Sequence, residues 1–137
     1  MGKKTKNFTP SLPSDEGLRF SFQYYDTRQQ DYCISSWSEE QILKALGRLK
    51  DISSKSFDQL KQGGRVYSFG SVNWARTIKP NGFPDAKANN VGEPFHFALI
   101  GVNNQLARVF GAYQKGVFYI VWFDINHDIL PTPLKYT

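Results

Sequence analysis

The sequence predicts an α+β domain: a small antiparallel sheet, in the order strand, helix, helix, three-stranded meander, with two helices packed on one face. Three observations predict it. A stretch near the start alternates apolar and polar side chains. Two stretches after it combine helix caps with helical apolar spacing. Three runs rich in aromatic and β-branched residues then close the chain, separated only by turn formers.

Residues 1–17, "MGKKTKNFTPSLPSDEG", are polar, carry Pro10 and Pro13 and lack any period. They read as a flexible basic tail. The tail has no hydrophobic stretch, so no secretory signal is expected. Lys6 stands where a myristoylation signal carries Ser or Thr. Residues 18–137 form the single domain.

In "LRFSFQYYD", Leu18, Phe20, Phe22 and Tyr24 face one way, and Arg19, Ser21 and Gln23 the other, as in a half-buried strand. In "WSEEQILKALGRLKDIS", Ser38 and Gln41 make a capping box, and Glu39 and Glu40 suit the positive end of the helix dipole. Ile42, Leu46, Leu49 and Ile52 recur at helical spacing. "SFDQLKQGG" predicts a second, shorter helix, capped by Ser56, packed through Phe57 and Leu60 and ended by Gly63-Gly64. Both are too short to stand alone, so they must pack on a sheet.

"RVYSFG" can supply one short strand. Residues 71–94 then lose all periodicity among prolines, glycines and asparagines, and a loop this long in a compact domain is usually functional or disordered. It carries Trp74, Arg76, Lys79 and Lys87, and an aromatic among cations suits a nucleic-acid strand. The plainer reading is an insertion with Trp74 tucked into the core. Strands follow at 95–102, 106–113 and 117–125, joined by "NNQ" and "QKG".

Register decides which side chains share a face. A three-residue "QKG" loop with its Gly in the left-handed position pairs Tyr113 with Val117. Arg108 then lies opposite Trp122, and Leu106 opposite Asp124. One face collects Leu106, Arg108, Phe110, Phe118, Ile120, Trp122 and Asp124. The other, with Ala107, Val109, Gly111, Tyr119, Val121 and Phe123, is smooth enough to take the helices. A two-residue turn would instead set Arg108 against Phe123. A three-residue "NNQ" loop pairs Ile100 with Arg108 and leaves His96 about 13 Å from Arg108, as a structural or rim residue.

The arginine inside an apolar strand needs an anion or a carboxylate partner; Asp124 can be that partner, and so can a phosphate. Asp124 and Asn126 are turn formers that bend the chain back after Ile125, bringing His127 toward Asp124, Arg108 and Trp122. Such a group supports a general acid or base, His127, oriented by Asp124, with Arg108 stabilising phosphate charge. The alternative is an Asp–His hydrogen bond that only locks the turn.

The closing "ARVFGAYQKGVFYIVWFDINHDI", the element order and the basic character resemble the RelE/ParE superfamily of toxin–antitoxin toxins. The match is strongest over 95–130 and loosely reaches 18–137. The resemblance implies a microbial-RNase-like fold with RNA on the helix-free sheet face. It implies metal-free mRNA cleavage, free or on the ribosome, that inhibits translation, and an antitoxin that blocks the toxin. Arg108 matches the strand arginine that binds the scissile phosphate. His127 sits where a C-terminal catalytic side chain lies, and Tyr113 and Lys115 at the hairpin tip are candidate RNA contacts. Residues 71–94 are longer than a minimal toxin needs. Relatives of the ParE type poison gyrase without nuclease chemistry.

Composition narrows the choice. The 137 residues carry a net charge of +5 and a pI near 9.4, which favours an anionic partner. Cys33 is the one cysteine, expected as a packed or partly exposed thiol, and with His96 and His127 the only histidines neither a Cys-cluster nor a His-rich metal centre is expected; a carboxylate-bound Mg²⁺ has no motif behind it, and no cofactor is expected. No apolar run approaches the ~18 residues of a membrane span. No G-x-S-x-G and no P-loop occurs. The first expectation is therefore a cytoplasmic, metal-independent mRNA endoribonuclease with an antitoxin partner, with bases stacking on Trp74 or Trp122. The second is a binding protein on the same scaffold, aimed at a protein such as gyrase or at nucleic acid, without chemistry.

Overall fold

The structure, a computed structural model, describes residues 17–104 and 106–131. The tail expected at 1–17 lies outside the described residues except for Gly17. Strand β1 (Arg19–Ser21) leads to helices α1 (Glu39–Ser53) and α2 (Phe57–Gln62), then to the short strand β2 (Gly70–Ser71) and helix α3 (Ala86–Val91). Strands β3 (Glu93–Ala98), β4 (Arg108–Gln114) and β5 (Val117–Asp124) follow. The class is α+β, as expected. The five strands are ordered β1-β5-β4-β3-β2; the β1–β5 pair is parallel and the others antiparallel.

Both main helices start on reciprocal capping boxes. The Gln41 amide donates to Ser38 Oγ at 3.1 Å and the Ser38 amide to Gln41 Oε1 at 2.9 Å; Ser56 and Gln59 repeat the pattern. Ala45, Leu49, Ile52 and Leu60 are buried against Phe95, Phe97, Val109, Phe118, Ile120 and Phe123 of the sheet. Leu46, expected in this core, points outward, and Ala45 takes the inward position.

Two features depart from the expected register. The β4–β5 turn has two residues, Lys115 and Gly116, both at positive φ (50° and 87°), with Gln114 paired to Val117. This geometry matches the right-handed twist of the strands it joins. Further along, Phe110 pairs with Trp122 but Gly111 with Ile120, so Val121 is an extra residue in β5. This bulge reverses the alternation. Phe118 and Ile120 face the helices, whereas Trp122 and Asp124 join Arg108 and Phe110 on the other face. Gly111 opposite the bulge is obligatory: a Cβ there would run into the Tyr119 carbonyl and the Phe118 ring.

The bulge also ends β1 early. The Val121 carbonyl accepts from the Asp26 amide at 3.0 Å, and the chain turns over 22–25. The alternation expected through Tyr24 therefore stops at Ser21. Phe22 is exposed, and Tyr24 packs against Tyr119 on the face opposite the helices.

Residues 71–94 are not an open loop. They fold over the second sheet face through a 3-10 turn at Trp74–Arg76 and through α3. Val72, Phe83 and Ala88, with Tyr32 and Ile129, bury Phe110, Val121 and Trp122 in a second core. Asn89 ties the segment to itself: its Oδ1 accepts from the Phe83 amide at 2.9 Å and its Nδ2 donates to the Phe83 carbonyl at 2.6 Å.

Candidate functional site

Two cross-strand rows build the site. Ala98, Arg108 and Asp124 oppose one another at the end of β3, β4 and β5. One step inward, His96, Phe110 and Trp122 form the next row. β3 pairs with β4 through Ala98 and Arg108, not through Ile100. His96 is therefore a diagonal neighbour of Arg108, about 7–8 Å away by backbone geometry rather than the larger separation expected. Arg108 is half-buried, which pushes its pKa down, and the Asp124 charge acts against that shift.

His96 is the most perturbed group. Its ring lies nearly parallel to Phe110, with centroids 5.4 Å apart and 25° between planes. Its Nδ1 is buried with no hydrogen-bond partner. Burial first, then the charges of Arg108 and His127, lower its pKa to about 4. His96 is thus neutral at pH 7, and His127 is close enough to act on it electrostatically. His127 is half-exposed and sits at φ +60°, a left-handed position in the turn after β5.

The Asp124 carboxylate takes its hydrogen bonds from backbone amides rather than from the His127 ring, although the two interact electrostatically. Asp124 is 1% exposed and accepts two backbone hydrogen bonds, from the Asp128 amide to Oδ1 (2.9 Å) and from the Ile129 amide to Oδ2 (2.7 Å). Burial raises its pKa, and those two hydrogen bonds work against the rise. It is a turn anchor that sets where His127 stands. Asn103 braces the same turn, donating to the Ile125 carbonyl at 2.9 Å.

The expected base-stacking residues are packed inward. Trp122 is fully buried and its Nε1 donates to Asp26 Oδ2 at 2.9 Å. Asp26 also accepts from Arg28; burial opposes its ionisation, but these hydrogen bonds prevail and hold its pKa down. Trp74 is half-buried with its ring edge-on to Phe83 and Trp122. Tyr113 lies on the helix side, stacked on Phe57 at 3.9 Å, and its hydroxyl accepts from the Gly116 amide. Lys79 is half-buried over the Tyr32 and Trp122 rings and donates to Gln29. Arg76 and Lys115 remain exposed cations.

The chain matches no protein-family model, no curated protein and no solved structure.

Of the residues expected to act, Arg108 and His127 both lie close enough to His96 to act on its charge; Trp122 and Tyr113 do not belong to an open surface. His96 was missed as a member of the site. Its alternation with Ala98 is visible in the sequence, but its distance from Arg108 depends on a register that the sequence does not display. Cys33 is buried, as expected, with Sγ 3.1 Å from Ser35 Oγ. Among the described residues no helix is long and apolar enough to cross a membrane, and no group of three or more His, Cys, Asp or Glu side chains is placed to hold a metal ion.

Proposed function

We propose that the protein is a metal-independent endoribonuclease of the RelE/ParE toxin kind, acting on mRNA in the cytoplasm, free or on the ribosome, and held in check by an antitoxin. The observation that supports this reading is the convergence of Arg108, His96 and His127 at one end of the sheet. Metal-free RNA cleavage has three requirements. A base takes the proton of the 2′-hydroxyl as its oxygen attacks the adjacent phosphorus. An acid protonates the departing 5′-oxygen. A cation stabilises the phosphorane. His96, neutral at pH 7, suits the base, and His127 the second proton-transfer group. Arg108 suits the phosphate. Burial is the main cause of the depressed His96 pKa; a phosphate bound at Arg108 would offset only the smaller contribution of the positive charges and raise its basicity by that part.

A second reading, binding without chemistry on the same scaffold, is favoured by the inward packing of Trp74 and Trp122, which removes the stacking platforms a single strand would use.

Induced expression of wild type and Arg108→Ala in bacteria separates the two, with growth and mRNA integrity followed together. Growth arrest with mRNA cut at defined sites, lost in the soluble variant, supports the nuclease. Growth arrest with intact mRNA points to a protein target. No effect on either removes the toxin reading. Purified protein that cuts RNA only when divalent ions are supplied would sink the metal-free mechanism.

A further inference from the structure

Helix α1 carries an outward apolar face that no other described residue covers. Leu43 is 61% exposed and Leu46 55% exposed, and beside them Phe22 is 53% exposed. Phe22 and Leu46 line one apolar groove, floored by Ile34, Trp37 and Ile42. Leu43 does not line that groove but lies three residues from Leu46 on the same helix face, so three of the six exposed large hydrophobics among the described residues adjoin one another, the other three being Val66, Ile78 and Leu106. Contiguity of that kind marks an interaction surface, whereas isolated exposed apolar residues do not.

Gly47 lies in the same face. It costs the helix about 1 kcal/mol relative to alanine. Its φ is not positive, it is exposed, and an added Cβ would meet nothing within 4 Å. Among the described residues no contact calls for a glycine there; the close approach of another backbone would.

The spacing and the charges say which backbone. Glu39, Leu43, Leu46 and Lys50 recur at intervals of four, three and four, the seam of a two-helix contact. Acidic Glu39 opens the helix and basic Lys50 lies in its last turn. Among the described residues neither has an ion pair within the chain, whereas Lys44 pairs with Glu40 at 3.3 Å. We propose that this face is a self-association surface on which a second copy of the chain packs α1 antiparallel, about a twofold axis between Leu43 and Leu46. Each Leu43 then meets the other copy's Leu46, Glu39 meets Lys50 at both ends, and Gly47 lets the backbones close. A parallel copy would set Glu39 against Glu39 and Lys50 against Lys50. The twofold arrangement uses one patch on both copies, as an isologous interface requires.

The surface is small. The 15-residue helix is about 22 Å long, so the pair belongs to the weak class of interface, below about 1,200 Å². A concentration-dependent monomer–dimer equilibrium is expected, not an obligate dimer.

Sedimentation equilibrium of the full chain over a range of concentrations tests this. Wild type should rise from the monomer mass of 15.7 kDa toward twice that value. Leu43→Lys, at an exposed position, should keep its far-UV circular dichroism and stay monomeric. Gly47→Leu, a better helix former, should stay folded and also stay monomeric. Glu39→Lys or Lys50→Glu alone should weaken association about five- to tenfold, since each makes two symmetric contacts repulsive, and the double variant should recover it. A wild type that is monomeric at its highest soluble concentration overturns the proposal. So does a Leu43→Lys protein that dimerises like wild type, or a double charge swap that fails to restore what the single changes lose.

Discussion

Arg108 and Asp124 oppose each other across β4 and β5, yet the Asp124 carboxylate is committed to the amides of Asp128 and Ile129. The aspartate therefore shapes the turn that carries His127, while its charge favours the protonated guanidinium from a distance. That division makes Asp124 a support for the turn that carries His127 and a charge beside Arg108.

Replacing Asp124 should accordingly be a stability change. Asp124→Ala leaves two backbone donors without their acceptor in a buried turn and should cost about 2–4 kcal/mol. Asp124→Asn, which keeps one acceptor oxygen, should cost less. Urea unfolding at pH 7 measures both. Equal stability of Asp124→Ala and wild type would contradict the anchoring role.

The depressed pKa of His96 predicts acid sensitivity. Above pH 6.5 the residue is neutral whether the chain is folded or unfolded and contributes nothing. Below that, the unfolded chain takes up a proton that the folded chain resists until about pH 4. Stability should therefore fall as pH drops from 6.5 to 4, by roughly 3 kcal/mol at 1.36 kcal/mol per pKa unit. His96→Phe keeps the stack on Phe110 and should lose that slope. Asp26 and Asp124 titrate in both proteins, so the difference between the two urea-unfolding curves isolates His96.

Removing Arg108 should be legible at His96 as well. With the guanidinium gone, one of the positive charges that disfavour the imidazolium is gone, so the His96 pKa should rise in Arg108→Ala. A histidine titration by NMR reads this directly. An unchanged value would mean that the two side chains do not share a site.

The bulge makes a steric prediction. Gly111→Ala sets a methyl against the Tyr119 carbonyl and should cost at least about 2 kcal/mol. Nearby, Lys115→Asn places a residue tolerant of positive φ in the two-residue turn and should stabilise by about 0.5 kcal/mol. Opposite shifts in thermal midpoint are expected, and shifts of the same sign would refute the turn and bulge assignment.

What the sequence determined by itself was local. The capping boxes of Ser38 with Gln41 and Ser56 with Gln59 close over three residues, so the helices were legible without knowledge of the rest of the chain. The closing strands were legible for the same reason, through their alternation and turn formers. Arg108, Trp122 and Asp124 were also placed on one face, but by a wrong turn; the structure reaches the same grouping through a shorter turn and the Val121 bulge. Tertiary structure alone decided the rest. A bulge forms where two strands and the Asp26 amide compete for backbone partners, and no single strand encodes that competition. Residues 71–94 acquire helix α3 and pack Trp74 against the second core because Phe110, Val121 and Trp122 need a cover that only the assembled sheet presents. His96 joins Arg108 because β3 pairs two residues away from the expected register, and a pairing register depends on both strands and on the length of the loop between them.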